Sequence, residues 1–181
     1  SEDILKLCKE AHEYGFKSVC VNPYYVSYAK EILKEMNSNV KVCTVIGFPL
    51  GQNTTKVKVE ETKDAILNGA EEIDMVINVA ALNEGKTDYV KEEIQQIRNA
   101  CKGYILKVII ETCYLNEEQI KIATQICNET GADYIKTSTG FGTRGASIED
   151  VKIMNENKIE KLQIKASGGI GDYETAVKMV E

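Results

Sequence analysis

The 181-residue chain has no tryptophan, two prolines and one histidine, His12. None of its six cysteines (Cys8, Cys20, Cys43, Cys101, Cys113, Cys127) forms a C-x-x-C pair. With one imidazole and no thiolate cluster in the sequence, neither a structural nor a catalytic zinc is expected. The cysteines fall mostly at apolar positions, which reads as reduced thiols rather than a disulfide framework. There is no basic block and no aromatic-basic interleaving, so nucleic acid is not an expected partner. No apolar run approaches the length of a membrane span, and the N-terminal residues lack a signal-peptide pattern. The expected location is therefore the cytoplasm, away from any membrane. Linkers, repeats and low-complexity segments are also missing. The formal charge of −6 is spread along the chain rather than gathered in a tail. These absences leave a single domain, residues 1–181, with room for a sizeable core.

What is present is an alternation of two periodicities. Ser1-Glu2-Asp3 reads as a helix start, and Ile4, Leu7, Cys8, Ala11 and Tyr14 follow at helical spacing up to Gly15. Ser18 to Asn22 is a strand stopped by Pro23, and Val26, Ala29, Leu33 and Met36 mark a second helix. Val40 to Ile46 is a strand, and a helix runs from Thr55 to Asn68. The strand from Ile73 to Asn78 precedes a helix capped by Thr87, with Val90, Ile94, Ile97 and Cys101 on one face. Ile105 to Ile110 is a strand, and Asn116-Glu-Glu-Gln119 is a capping-box start for a helix that ends at Gly131. Short strands beginning at Tyr134 and Ile164 then alternate with helices starting at Ser147 and Asp172, the last still running at Glu181.

Six strands and seven helices in strict alternation predict an α/β fold with a parallel sheet covered by helices. A doubly wound nucleotide fold carries its glycines in the first βα turn, which here is Asn22-Pro23-Tyr24-Tyr25. Glycine-rich turns occur late instead, which favours a (β/α)8 TIM barrel. Only six of its eight strands are found. The expectation is a barrel domain truncated at both ends, with the first and last strands missing from this chain.

Two of the strands carry lysines where a covered strand should be apolar: Lys136 before Thr-Ser-Thr139-Gly140, and Lys165 before Ala-Ser-Gly168-Gly169. Two ammonium groups brought together in a low-dielectric site favour the neutral amine on one of them, and a neutral lysine can form a Schiff base with a carbonyl. An outward-pointing, snorkelling lysine is the alternative at each position, and the matching context of the two weakens it. Lys107 sits deeper in its strand and reads as a buried ion-pair partner, although spacing does not exclude it as the reactive lysine. Asp74, on an otherwise apolar strand, suits either a proton relay or a plain salt bridge. Glu111 is a weaker candidate for the same polar network. Ser167-Gly168-Gly169 offers backbone amides and a following helix N-terminus to a phosphate, with Gly140 closing the pocket. Cys20, on the first strand, reads most simply as a core thiol.

Val19-Cys-Val-Asn-Pro23, Val42-Cys-Thr-Val-Ile-Gly-Phe-Pro-Leu-Gly51, Glu72-Ile-Asp-Met-Val-Ile-Asn78, Lys107-Val-Ile-Ile-Glu-Thr-Cys113, Lys136-Thr-Ser-Thr-Gly-Phe141 and Lys165-Ala-Ser-Gly-Gly-Ile170 together resemble the deoxyribose-phosphate aldolase family. The resemblance implies a class I aldolase that cleaves 2-deoxy-D-ribose 5-phosphate reversibly to D-glyceraldehyde 3-phosphate and acetaldehyde. It implies Lys136 as the Schiff-base lysine, Lys165 as the neighbour that favours its neutral form, and Asp74 as part of the proton relay. Thr139, Gly140, Gly168 and Gly169 correspond to substrate-binding positions near the sugar phosphate, and Cys20 to an active-site cysteine. The iminium is itself the electron sink, so no metal or organic cofactor is implied. The implied partners are the sugar phosphate, acetaldehyde and further copies of the chain, in a dimer or tetramer.

Some members of that family carry a lysine where this chain has Phe141, which implies more reliance on backbone amides for the phosphate here. The family's first strand, with an Asp-His-Thr-type segment, and its last strand, with a Gly-Thr-Ser-type loop, have no counterpart in the sequence. The alternatives are another Schiff-base aldolase or transaldolase, or a non-catalytic sugar-phosphate-binding barrel. Retention of both lysines and Asp74 speaks against a mere binder.

Overall fold

A computed structural model describes residues 2–180. The expected cap at Ser1 and the chain end at Glu181 lie outside the described residues. The strands are β1 (Ser18–Val21), β2 (Lys41–Ile46), β3 (Glu72–Val76), β4 (Ile105–Ile109), β5 (Tyr134–Lys136) and β6 (Gln163–Lys165). Helices α1 (Glu2–Glu13), α2 (Val26–Glu35), α3 (Thr55–Leu67), α4 (Val79–Asn83), α5 (Thr87–Ala100), α6 (Glu117–Thr130), α7 (Ile148–Asn157) and α8 (Tyr173–Lys178) alternate with them.

All six strands are parallel, and each pairs with its sequence neighbours in the order β1-β2-β3-β4-β5-β6. A doubly wound sheet would reverse direction part-way along. Steady progression with right-handed crossovers puts every helix on one side and curls the sheet towards a barrel. The sheet is an open part of that barrel, because among the described residues β1 pairs only with β2 and β6 only with β5.

Register decides which residues share a face. On the outer face Val19, Val42, Ile73, Leu106 and Ile135 pack under the helices in one hydrophobic core with Cys8, Ala29, Leu33, Val90, Ile97 and Cys127. Each apolar helix stripe is thus buried against strand residues one position away from the inner face. The inner face carries a polar row, set by the pairings Cys20↔Cys43, Cys43↔Glu72, Asp74↔Lys107 and Lys136↔Lys165. A slip of one residue would move these charges into the apolar layer, so burial of the outer face fixes the inner site as well.

Helix boundaries follow their caps. In α6 the Asn116 side chain accepts from Gln119 N and the Gln119 side chain accepts from Asn116 N, and Gly131 closes the helix at φ 69°. Ser147 and Asp172 cap α7 and α8 by accepting from Asp150 N and Thr175 N. Two expectations shift. Thr87 is the first helical residue, with Lys86 as the cap. Asn78 does not end a strand but caps the additional short helix α4, accepting from Ala81 N at 3.0 Å.

Candidate active site

Asp74 lies at the middle of β3, fully buried, and both its oxygens are taken. Oδ1 accepts from Lys107 Nζ at 2.7 Å and from the Cys43 thiol at 3.1 Å. Oδ2 accepts from Lys136 Nζ at 2.7 Å and stands 3.7 Å from Lys165 Nζ. Lys107 also donates to Glu72 Oε2 at 2.6 Å, and Ser18 Oγ donates to the same oxygen at 3.0 Å. Three lysines from three consecutive strands therefore converge on one carboxylate.

The electrostatics of Asp74 and Lys107 are bound together. Burial alone would push the Asp74 pKa up, but the charges of Lys136, Lys107 and Lys165 outweigh it and hold the carboxyl at about 2. Asp74 is an anion at every physiological pH. Lys107 is buried, which favours its neutral form, yet Cys43, Asp74 and Glu72 hold its pKa well above the ordinary lysine value. Paired with both Glu72 and Asp74, Lys107 is placed as their counter-ion. Lys136 is buried beside Asp74, 9% exposed at its side chain, whereas Lys165 on the next strand is 35% exposed.

Beyond β5 and β6 the chain forms two loops bound to each other. Ser167 Oγ donates to Ser138 O at 2.7 Å, Ser167 N donates to Thr137 Oγ1 at 3.0 Å, and Ala146 N donates to Ser167 O at 3.0 Å. The approach requires glycine: a Cβ on Gly145 would stand 2.1 Å from Gly168 O. A Cβ on Gly168 would come within 3.6 Å of Gly140 Cα, so the two predicted glycine segments do meet. Gly168 and Gly169 both adopt left-handed φ, +76° and +73°, and their amides donate to no backbone acceptor among the described residues. The helix expected directly behind them begins only at Tyr173, and the Asp172 carboxylate already fills its cap. Any anion held here rests on the turn's own amides.

Thr139 is less free than the sequence suggests. Its amide donates to Glu111 Oε1 at 3.2 Å and its hydroxyl donates to Glu111 Oε2. Glu111, at φ 54°, thus braces the loop after β5 and stands apart from the Asp74 network. Phe141 is 75% exposed and stacks edge-on against Phe48 at 5.5 Å. Beside it, Pro49, Leu50, Val79, Tyr114 and Thr139 line a cavity of about 330 Å³.

A family model described as DeoC/LacD family aldolase matches residues 1–181. The chain belongs to that family. The deoxyribose-phosphate aldolase of Clostridium tetani is 56% identical over 181 residues, spanning 99% of this chain and 83% of the relative. That of Thermococcus gammatolerans is 53% identical over 182 residues, spanning 99% and 81%. Among solved structures, the tetrameric deoxyribose phosphate aldolase from Aeropyrum pernix superposes with a TM-score of 0.90 at 32% identity, over 99% of this chain and 75% of that one. An aldolase designated QR15 reaches a TM-score of 0.93 at 47% identity, over 99% and 79%.

Against this family background, several features of the aldolase site have no plain signal in the sequence. Cys20 is not a core thiol: it is exposed on the inner face, in register with Cys43. Cys20 Sγ, Cys43 Sγ and an Asp74 oxygen lie within 4.8 Å of one another, so the fold does assemble a thiol cluster that spacing concealed. The ammonium groups of Lys107 and Lys136 already occupy the carboxylate of that cluster. Glu72 and Ser18 likewise join the network only because consecutive strands are in register. No helix of the described residues is long and apolar enough to cross a membrane.

Proposed function

We propose that this aldolase cleaves 2-deoxy-D-ribose 5-phosphate reversibly to D-glyceraldehyde 3-phosphate and acetaldehyde through a Schiff base on Lys136. The observation that carries the reading is the shared Asp74 Oδ2, 2.7 Å from Lys136 Nζ and 3.7 Å from Lys165 Nζ. One carboxylate oxygen thus lies between the two strand-end amines, while Lys107 neutralises the other. The deoxyribose-phosphate aldolases of Clostridium tetani and Thermococcus gammatolerans, 56% and 53% identical, support the substrate.

In the proposed cycle the neutral Lys136 amine adds to the C1 aldehyde of the open-chain sugar, and loss of water leaves an iminium. The iminium draws the electron pair of the C2–C3 bond as the C3 hydroxyl gives up its proton, releasing glyceraldehyde 3-phosphate and leaving an enamine. A proton then returns to carbon, and hydrolysis frees acetaldehyde and Lys136. Asp74, an anion in the resting site, belongs to the proton relay. It positions the protons carried by Lys165 and water. Thr139, Gly140, Gly168 and Gly169 line the phosphate end, where the Gly168-Gly169 amides act as donors. Cys20 lies on the same inner face, within reach of a bound substrate.

Borohydride reduction in the presence of acetaldehyde tests the assignment. A reduced adduct on the peptide containing Lys136 is expected, and an adduct on Lys165 or Lys107 in its place overturns it.

The same reading extends to the whole protein: a cytoplasmic homo-oligomer whose single barrel domain closes with two further strands between β6 and β1. The two unpaired sheet edges and the 83% share of the Clostridium tetani relative's length support the closure, and the tetrameric Aeropyrum pernix aldolase supports the assembly.

A further inference from the structure

Cys20 and Cys43 face each other on adjacent strands in the same register, a pairing the aldol reaction does not use. Parallel neighbours stand about 4.8 Å apart. That spacing falls within the roughly 4.4–6.8 Å between α-carbons that a disulfide spans. The two sulfurs already lie within 4.8 Å, so side-chain rotation rather than strand movement would close the gap. The two thiols also differ in kind. The Cys43 S–H donates to Asp74 and its sulfur accepts from Lys107 Nζ at 3.3 Å, inside the buried network. Cys20 is exposed. The neighbouring Cys43 sulfur, with help from the nearby Lys136 and Lys165 charges, brings the Cys20 pKa down to about 7, while the Cys20 neighbour and burial push Cys43 up. One accessible thiolate beside one protonated partner is the arrangement of an attacking and a resolving cysteine.

We propose that Cys20 and Cys43 form an oxidation-sensitive pair, closed to a disulfide by hydrogen peroxide, and that closure shuts the Asp74 site. The Cys20 thiolate attacks a peroxide oxygen, the O–O bond breaks, and hydroxide departs, leaving a sulfenic acid on Cys20. The Cys43 sulfur then attacks the Cys20 sulfur. The S–S bond forms as the S–O bond breaks, and the Cys43 proton leaves with the departing hydroxide as water. Two thiols and one peroxide give one disulfide and two waters. The cross-link removes the thiol donor from Asp74 Oδ1.

The test treats reduced protein with peroxide, blocks remaining thiols by alkylation, and digests with trypsin. The expected product joins peptides 18–30 and 42–56 at a mass two hydrogens below their sum. Deoxyribose-phosphate cleavage is expected to fall in step with that product and return on reduction with dithiothreitol. In Cys43→Ala the joined peptide should be absent, and dimedone should trap a sulfenic acid on Cys20. A stable Cys20 sulfenic acid with Cys43 still alkylatable in the unsubstituted chain overturns the pairing. A complete cross-link with undiminished cleavage overturns the switch. The mass readout does not depend on the substrate assignment, so the two readings fail separately.

Discussion

Replacing Asp74 with asparagine would leave Lys107 and Lys136 buried beside a neutral amide, since that carboxylate is the only acidic partner of Lys136 among the described residues and one of two for Lys107. Removing one member of such a buried pair costs about 3–5 kcal/mol, so Asp74→Asn should unfold at markedly lower denaturant concentration. The parent chain should show a matching acid dependence. The folded Asp74 pKa of about 2 lies below the ordinary 3.8. Its stabilisation is therefore complete above pH 3.8 and is lost as the pH falls towards 2. Asp74→Asn should lack that component when the two stability–pH curves are compared. Lys165→Leu is expected to lower cleavage by about 10² while the borohydride adduct on Lys136 still forms, because a relay is lost and the nucleophile is kept. Loss of the adduct as well would give Lys165 a different role. At this scale the sequence is legible where a residue violates its surroundings. A lysine in a covered strand is costly enough to announce itself, as Lys136, Lys165 and Asp74 do. Cys43 and Glu72 break no local pattern, and their place in the network comes only from the register of neighbouring strands.

Helix residues hide more than strand residues. Lys58 on α3 and Glu93 on α5 form a completely buried ion pair at 2.7 Å, with Lys58 also donating to Val76 O and Glu93 accepting from Asn78 N. In the sequence both look like members of a solvated helix face. Nothing short of the packed structure reveals that they clamp the exit of β3, just beyond Asp74. Lys58→Met or Glu93→Leu alone should cost about 3–5 kcal/mol by denaturant unfolding, and the double replacement clearly less than the sum. Strict additivity would mean that the pair is not coupled. Gly51 has a comparable hidden duty. At φ +69° a Cβ there would meet Ile77 O at 1.9 Å, so the loop after β2 lies directly on the end of β3. Gly51→Ala should destabilise by more than about 1 kcal/mol, read as a shift in the unfolding midpoint at unchanged slope. By contrast, the Asn116–Gln119 capping box and the Gly131 terminator were plain from spacing, because caps are local chemistry.

At the scale of the molecule, the alternation of strands and helices gave the barrel, and the late glycine turns separated it from a doubly wound sheet. The openness of the sheet has a measurable side. β3 and β4 are paired on both flanks and buried, whereas among the described residues β1 and β6 each present one unpaired edge. Hydrogen exchange should find the β3 and β4 amides slowest and the β6 amides fastest among the strands, with β1 and β6 gaining protection in a chain extended by one βα unit at each end. Uniform protection across the sheet would count against an open barrel. The neighbour-to-neighbour strand order also bears on how the chain comes together during synthesis. Domains assemble from the N-terminus as they emerge, and each new strand here finds its partner in the one made just before it. Asp74 and Lys107 lie on neighbouring strands that both precede Lys136 in the chain. Lys136 is therefore joined to a sheet whose earlier strands supply its anion, and a buried ammonium need not wait for a later segment to neutralise it.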